Sequence, residues 1–318
     1  MRIPLLVAVS AILLTACGTT ETPQSGQTTE NAGGPVTVTD SRGKAVELKS
    51  AAKRVVVLEW GEAEIVASLG VMPVGAADTA GYKTWNASVP LDASVKDVGK
   101  RGEPSVDTIV ALNPDVVVMA AERDSPIVPQ LEKYVPVVVT KSSDAARNFD
   151  RLREDVKMIA QAIGRTSEAD ALLSEMDTKL ADGKKALAAK AGTPFFMADG
   201  YLEGSTVSIR PFGKGSLVSD TAEALGLKNA WTGQVDPQWA LGQTDVEGLT
   251  ALTDPNTALF YSASEDDVFT TGLAQNPVWQ RLPFVSAKRV HKFEPGTWTF
   301  GGPKSVARIA DQFVKALA

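Results

Sequence analysis

A pattern that occurs twice constrains this chain more than any other feature. Asp107-Thr108-Ile109-Val110-Ala111-Leu112 is matched by Glu247-Gly248-Leu249-Thr250-Ala251-Leu252, and each is followed by a Pro and then an apolar strand. Ahead of each copy a helix is closed by Leu-Gly, at Leu69-Gly70 and again at Leu225-Gly226, where Gly accepts the left-handed backbone that ends a helix. Apolar, largely β-branched or aromatic runs at 54–58, 116–119, 136–139, 195–198, 257–261 and 289–293 read as buried strands, with helices at 62–69, 109–113 and 216–225 between them. This is α/β layering, and the two copies point to two similar lobes, although any α/β unit shares such punctuation. Between the copies lies the longest helical stretch, 144–164, with Phe149, Leu152, Val156, Ile159, Ala160 and Ile163 on one face and no Pro. Residues 167–190 continue as a second amphipathic helix. The expected fold is bilobal α/β: a lobe at 35–143, one interlobe helix at 144–165 and a second lobe at 166–318. A single stiff helix between lobes predicts rigid halves around a shallow cleft, whereas flexible hinge strands would permit wide closure.

The first 34 residues stand apart. Met1-Arg2 carries one positive charge, and 3–16 is an uncharged apolar run, too short to span a bilayer, which takes about 20 residues, but of signal-peptide length. It ends in Leu14-Thr15-Ala16-Cys17, and Cys17 is the only cysteine. Small residues before a lone Cys resemble a lipobox, which implies removal of 1–16 and a lipid on Cys17. With no second Cys, stability must come from the core alone. Residues 17–34 are Thr, Gln, Glu, Ser and Gly with almost nothing apolar, a flexible tether that holds a soluble domain near a membrane. Without 1–16 the chain carries 31 basic and 38 acidic residues. That balance argues against nucleic acid, which wants a basic face.

Enzyme signatures are missing. There is no Gly-x-Ser-x-Gly elbow, and neither Gly213-Lys214-Gly215-Ser216 nor Gly301-Gly302-Pro303-Lys304-Ser305 has phosphate-loop spacing. His291 is the only histidine and sits in an apolar predicted strand, which reads as structural. One His and one lipidated Cys cannot build a metal site, so no metal ligand set and no cofactor are expected. Tryptophan is the unusual resource: Trp60, Trp85, Trp231, Trp239 and Trp298 sit in or beside predicted loops. Large aromatics there can line a ligand cleft or simply pack. Arg101, on the tight loop Gly99–Pro104, can offer several donors to the oxygens around a chelated metal.

These strings together resemble a family. Val57-Leu58-Glu59-Trp60, Ala77-Asp78-Thr79 with Tyr82 and Trp85, and Asp97 to Pro104 are similar to the first lobe of periplasmic ferric hydroxamate-binding proteins. Asn229-Ala230-Trp231, Trp239, Pro277-Val278-Trp279-Gln280, Leu282-Pro283-Phe284-Val285 and Trp298 with Phe300-Gly301 continue the likeness, in order, to the end of the chain. The resemblance implies two α/β lobes joined by one long helix, and an iron(III)–siderophore complex in the cleft. It places ligand contacts at Trp85, Arg101, Trp239 and Trp298, with Tyr82 and Phe300 nearby. It also implies docking to ABC permease subunits through one acid on each lobe, here Asp107 and Glu247. The implied protein is a monomeric lipoprotein outside the cytoplasm. Three departures matter: Glu122-Arg123 replaces a cleft Tyr, Thr299 and Phe300 follow the third cleft Trp with Phe300 in place of Tyr, and Arg210 is an added arginine. Extra guanidinium groups at Arg123 and Arg210 favour an anionic, citrate- or carboxylate-type chelate. The competing expectation is a haem or cobalamin binder of the same fold, with His291 or Tyr82 supplying an axial ligand.

Overall fold

The computed structural model describes residues 33–120, 126–204 and 206–318. Strands form where β-branched residues run together. Val55–Val57, Val116–Ala120 and Val137–Thr140 lie side by side in parallel, and the short strands Gly75–Ala76 and Lys96–Asp97 extend that sheet beyond Val55–Val57. In the second half Pro194–Glu203 pairs in parallel with Ala258–Tyr261, which pairs in parallel with Val290–Lys292. Thr206–Pro211 returns antiparallel on Pro194–Glu203, an edge with no counterpart in the first sheet.

The pleat decides which core each side chain joins, because successive residues point to opposite faces. Val55, Val57, Val116, Val118 and Val138 share one core with Phe195, Met197, Ala258 and Phe260 of the other sheet. The alternate residues Val56, Leu58, Val117 and Met119 face a core private to the first sheet, while Phe196, Ala198, Leu259 and Tyr261 face one private to the second. Helices fill the shared core: Ile65 comes from Trp60–Ser68, Leu152 and Val156 from Asn148–Ile163, Leu172 from Thr166–Ala186, and Ile309 and Phe313 from Pro303–Leu317.

Asn148–Ile163 is the helix along which the chain passes from one sheet to the other. It packs on Val36–Thr39, Val137–Thr140 and Trp60–Ser68 and also on Thr166–Ala186 and Leu217–Ala224. The expected helix started at Asp144. The observed one starts later because 144–147 is a separate turn and Arg147, at φ −155° and ψ 48°, leaves the helical conformation before the helix begins. It stops at Gly164, whose φ of +67° makes the left-handed cap. The second copy of the repeat also departs from expectation. Val106–Ala111 is α-helical, but its match is a 3-10 turn, Gly248–Ala251. Glycine at 248 is a poor helix former, and its N–H is held by Asp245 Oδ1 at 2.9 Å.

Candidate functional site

A cleft with about 770 Å³ of space free of protein atoms opens beside the N-terminal end of the helix Trp60–Ser68. Its wall draws on both halves: Glu59, Glu62 and Arg101 from the first, Arg210, Trp239, Trp298 and Phe300 from the second, and Arg151 from the connecting helix.

Arg101 is held from below and from one side. Glu59 caps the helix in extended conformation, and its Oε1 accepts from Trp60 N at 3.1 Å. The same oxygen accepts from Arg101 Nη1 at 2.5 Å. The Trp60 ring lies beneath the guanidinium, 3.8 Å from its carbon, in a cation–π contact. Trp60 is itself fixed, since its Nε1 donates to Asp78 O at 3.2 Å. Of the five donors a guanidinium carries, most therefore stay available to a bound group.

The aromatic residues form a chain across the floor. Trp85 stands edge-on to Trp298 at 6.3 Å, Trp298 to Phe300 at 5.2 Å, and Phe300 to Trp239 at 5.5 Å. Trp298 Nε1 is buried, and no described residue accepts from it. Gly61 lets the two halves meet here: a Cβ on it would sit 3.1 Å from Phe300 O.

Each described guanidinium in the wall has a carboxylate partner. Arg151 Nη1 donates to Asp155 Oδ2 at 2.9 Å, one helical turn on, and its Nη2 donates to Asn148 Oδ1 at 2.6 Å. Asp155 also accepts from the backbone N of Lys141 and Ser142. Arg210 and Asp199 are directly opposed across the antiparallel pair, and Arg210 Nε donates to Asp199 Oδ1 at 2.9 Å. Burial pushes the Asp155 and Asp199 carboxyls upward, and their arginines oppose that push. Glu62 differs. It is 3 % exposed and accepts at Oε1 from Thr140 Oγ1 at 2.5 Å and from Ser142 Oγ. Burial first, then the nearby Glu59, raise its carboxyl to about 7.

Of the residues expected at a ligand, Arg101, Arg210, Trp239, Trp298 and Phe300 line this cleft, and Trp85 stands behind Trp298. Tyr82 does not reach it. The ring is 1 % exposed in the shared core, and its hydroxyl donates to Val89 O at 2.6 Å. His291, the other residue considered for an axial ligand, is stacked on Phe260 with centroids 5.0 Å apart and is absent from the wall. Arg123 and Cys17 lie outside the described residues. Asp107 and Glu247 are exposed at the heads of their short helices.

Glu59, Glu62 and Arg151 were not expected in the site. A signal for them exists. Glu59, Glu62 and Glu64 crowd the junction of an otherwise apolar strand and helix. Asn148, Arg151 and Asp155 fall in register with Leu152, Val156 and Ile159, on the buried side of their helix.

Residues 55–295 match the family described as periplasmic binding protein. The iron(3+)-hydroxamate-binding protein FhuD of Escherichia coli is 28% identical over 269 residues, covering 83% of this chain and 85% of that protein. The Fe(3+)-citrate-binding protein YfmC of Bacillus subtilis is 28% identical over 316 residues, 98% of this chain and 96% of its own. Among solved structures, FhuD of Vibrio cholerae with bound Fe3+-Desferal superposes with a TM-score of 0.73 at 27% identity, over 83% of this chain and 97% of that one.

Proposed function

The chain belongs to the periplasmic binding protein family, and we propose that it is the extracytoplasmic binding component of an ABC importer, carrying an iron(III)–siderophore complex to its permease. The observation that carries this reading is the wall in which guanidinium groups and aromatic faces alternate around one open cleft. A hexadentate chelator already satisfies the iron, so a binding protein need only recognise a compact, partly apolar, oxygen-studded surface. Arg101 and Trp298 Nε1 supply donors for those oxygens, and Trp239, Trp298 and Phe300 supply faces for the organic scaffold. Relatives named for ferric hydroxamate and for ferric citrate support the class of cargo. A haem reading loses its support, since neither Tyr82 nor His291 lines the cleft.

Within this reading the lobes are residues 35–143 and 166–318, joined through 144–165. Cys17 carries the lipid anchor, as relatives named as lipoproteins suggest, and Asp107 and Glu247 present their carboxylates to the permease from exposed helix starts.

Tryptophan fluorescence tests the cargo. Titration with ferric hydroxamate, ferric citrate and ferric catecholate complexes quenches the cleft tryptophans saturably for one class, and Arg101→Ala weakens that response. Quenching by haem or cobalamin alone would leave the fold standing and remove the siderophore assignment.

A further inference from the structure

Among the described residues, the three guanidinium groups of the cleft wall are each paired with a carboxylate: Arg101 with Glu59, Arg151 with Asp155 and Arg210 with Asp199. Glu62 is the carboxyl left over, and no cation bonds it among the described residues. Its two oxygens are not equivalent. The hydroxyls of Thr140 and Ser142 both converge on Oε1, whereas Oε2 is buried with no hydrogen-bond partner among the described residues. Oε2 is thus the oxygen that no described residue occupies.

The surroundings hold this arrangement in place. Ser142 keeps a φ of +58°, unusual for a residue with a side chain. It is pinned by its N–H on Asp155 and its hydroxyl on Glu62. Resting on the siderophore reading above, we propose that Glu62 determines which chelates this site accepts. As the neutral acid it leaves the wall without its negative charge, and as the carboxylate it repels an anionic complex bound in the cleft.

The charged groups facing it set the range in which the switch operates. Glu59 on its own helix and Asp155 on the connecting helix favour the neutral form, and burial favours it most, while the two hydroxyls pull the other way. Arg101, Arg151 and Arg210 share the cleft wall, each committed to its own carboxylate. The balance leaves the carboxyl titrating at about 7. Near neutrality Glu62 thus alternates between an uncharged acid and a carboxylate that adds one negative charge to the wall.

The test compares wild-type protein with Glu62→Gln, which keeps the shape and cannot ionise, using ferric citrate and ferrioxamine as probes over about pH 6 to about pH 8.5. Chelate speciation affects both proteins alike, so the ratio of their affinities isolates Glu62. For ferric citrate the wild-type affinity falls about thirtyfold relative to the variant across that range, the factor expected when only the neutral form binds. Ferrioxamine, which has no carboxylate, changes that ratio by less than about threefold. Calorimetry of wild-type protein at about pH 7.5, in two buffers of different ionisation heat, shows proton uptake on binding ferric citrate that the variant lacks. This readout also serves if the variant folds poorly, because uptake near zero in the wild type overturns the proposal by itself. Parallel pH profiles for the two proteins likewise overturn it while leaving the siderophore reading intact. Failure of both proteins to bind either chelate overturns this proposal, and failure with a ferric catecholate as well overturns the siderophore reading.

Discussion

Glu64→Ala should be among the most damaging single changes in this protein. Glu64 is wholly buried on the helix Trp60–Ser68, yet its partners come from distant parts of the chain. Oε2 accepts from Asn86 Nδ2 at 2.8 Å and from Ser305 Oγ, and Oε1 accepts from Ser305 N at 2.9 Å. Ser305 lies in the first turn of Pro303–Leu317, so a carboxylate from one half caps the N-terminal end of the long helix that packs in the other. Truncation to Ala takes the acceptor from three buried donors, of which Ser305 Oγ keeps Ser88 Oγ at 3.4 Å. Each costs about 1–3 kcal/mol when left unsatisfied, and since neighbours are not additive the net loss should be about 3–5 kcal/mol. Against a typical total of about 5–15 kcal/mol this is a large fraction. Glu64→Gln tests the cause rather than the volume. Both oxygens accept, so any placement of the amide turns its NH2 toward a donor, with an expected loss of about 1–3 kcal/mol. Urea unfolding followed by tryptophan fluorescence measures both, as a midpoint shift at unchanged slope. A Glu64→Ala variant within about 1 kcal/mol of wild type would refute the claim that this carboxylate ties the halves together.

Other perturbations follow from the same geometry. Glu62 titrates at about 7 in the folded chain against an ordinary 4.5, so the folded state holds the extra proton between those values. The Glu62 contribution to stability consequently declines as pH rises from about 4.5 to about 7 and is flat above. Glu62→Gln escapes this decline, gaining up to about 3 kcal/mol at pH 8 and nothing near pH 4, at 1.36 kcal/mol per pH unit; a gain independent of pH in denaturant melts would contradict the reasoning. Gly215 has a φ of +92°, and a Cβ there would stand 2.0 Å from Ala145 O. Gly215→Ala should therefore cost at least about 2 kcal/mol in thermal unfolding, and a neutral result would mean the 142–145 segment yields freely. Reversal of charge at both Asp107 and Glu247 should abolish uptake of the cargo by whole cells while leaving its affinity in solution unchanged; transport at the wild-type rate would remove the docking role.

What the chain's local chemistry determined by itself is its set of strands and helices and their alternation. Valine runs at 55–57, 116–118 and 137–139 became parallel strands, and Gly70, Gly164 and Gly226 took left-handed backbone where helices were expected to stop. These outcomes depend on side-chain stiffness and backbone freedom within a few residues, which a sequence displays directly. Loop tryptophans were also visible, because a large apolar ring is costly to leave in water, and Arg101 through its tight loop and the family resemblance. What only the tertiary structure decided is how buried charge is matched. Arg101 meets Glu59 across 42 positions, and Glu64 meets Ser305 across 241. Tyr82 was lost to the core and Glu62 was brought to the cleft by where their elements dock. A carboxylate in the first turn of a helix reads the same whether it faces water or a wall. Only the neighbours that arrive from elsewhere in the chain set its solvation, and with it its proton.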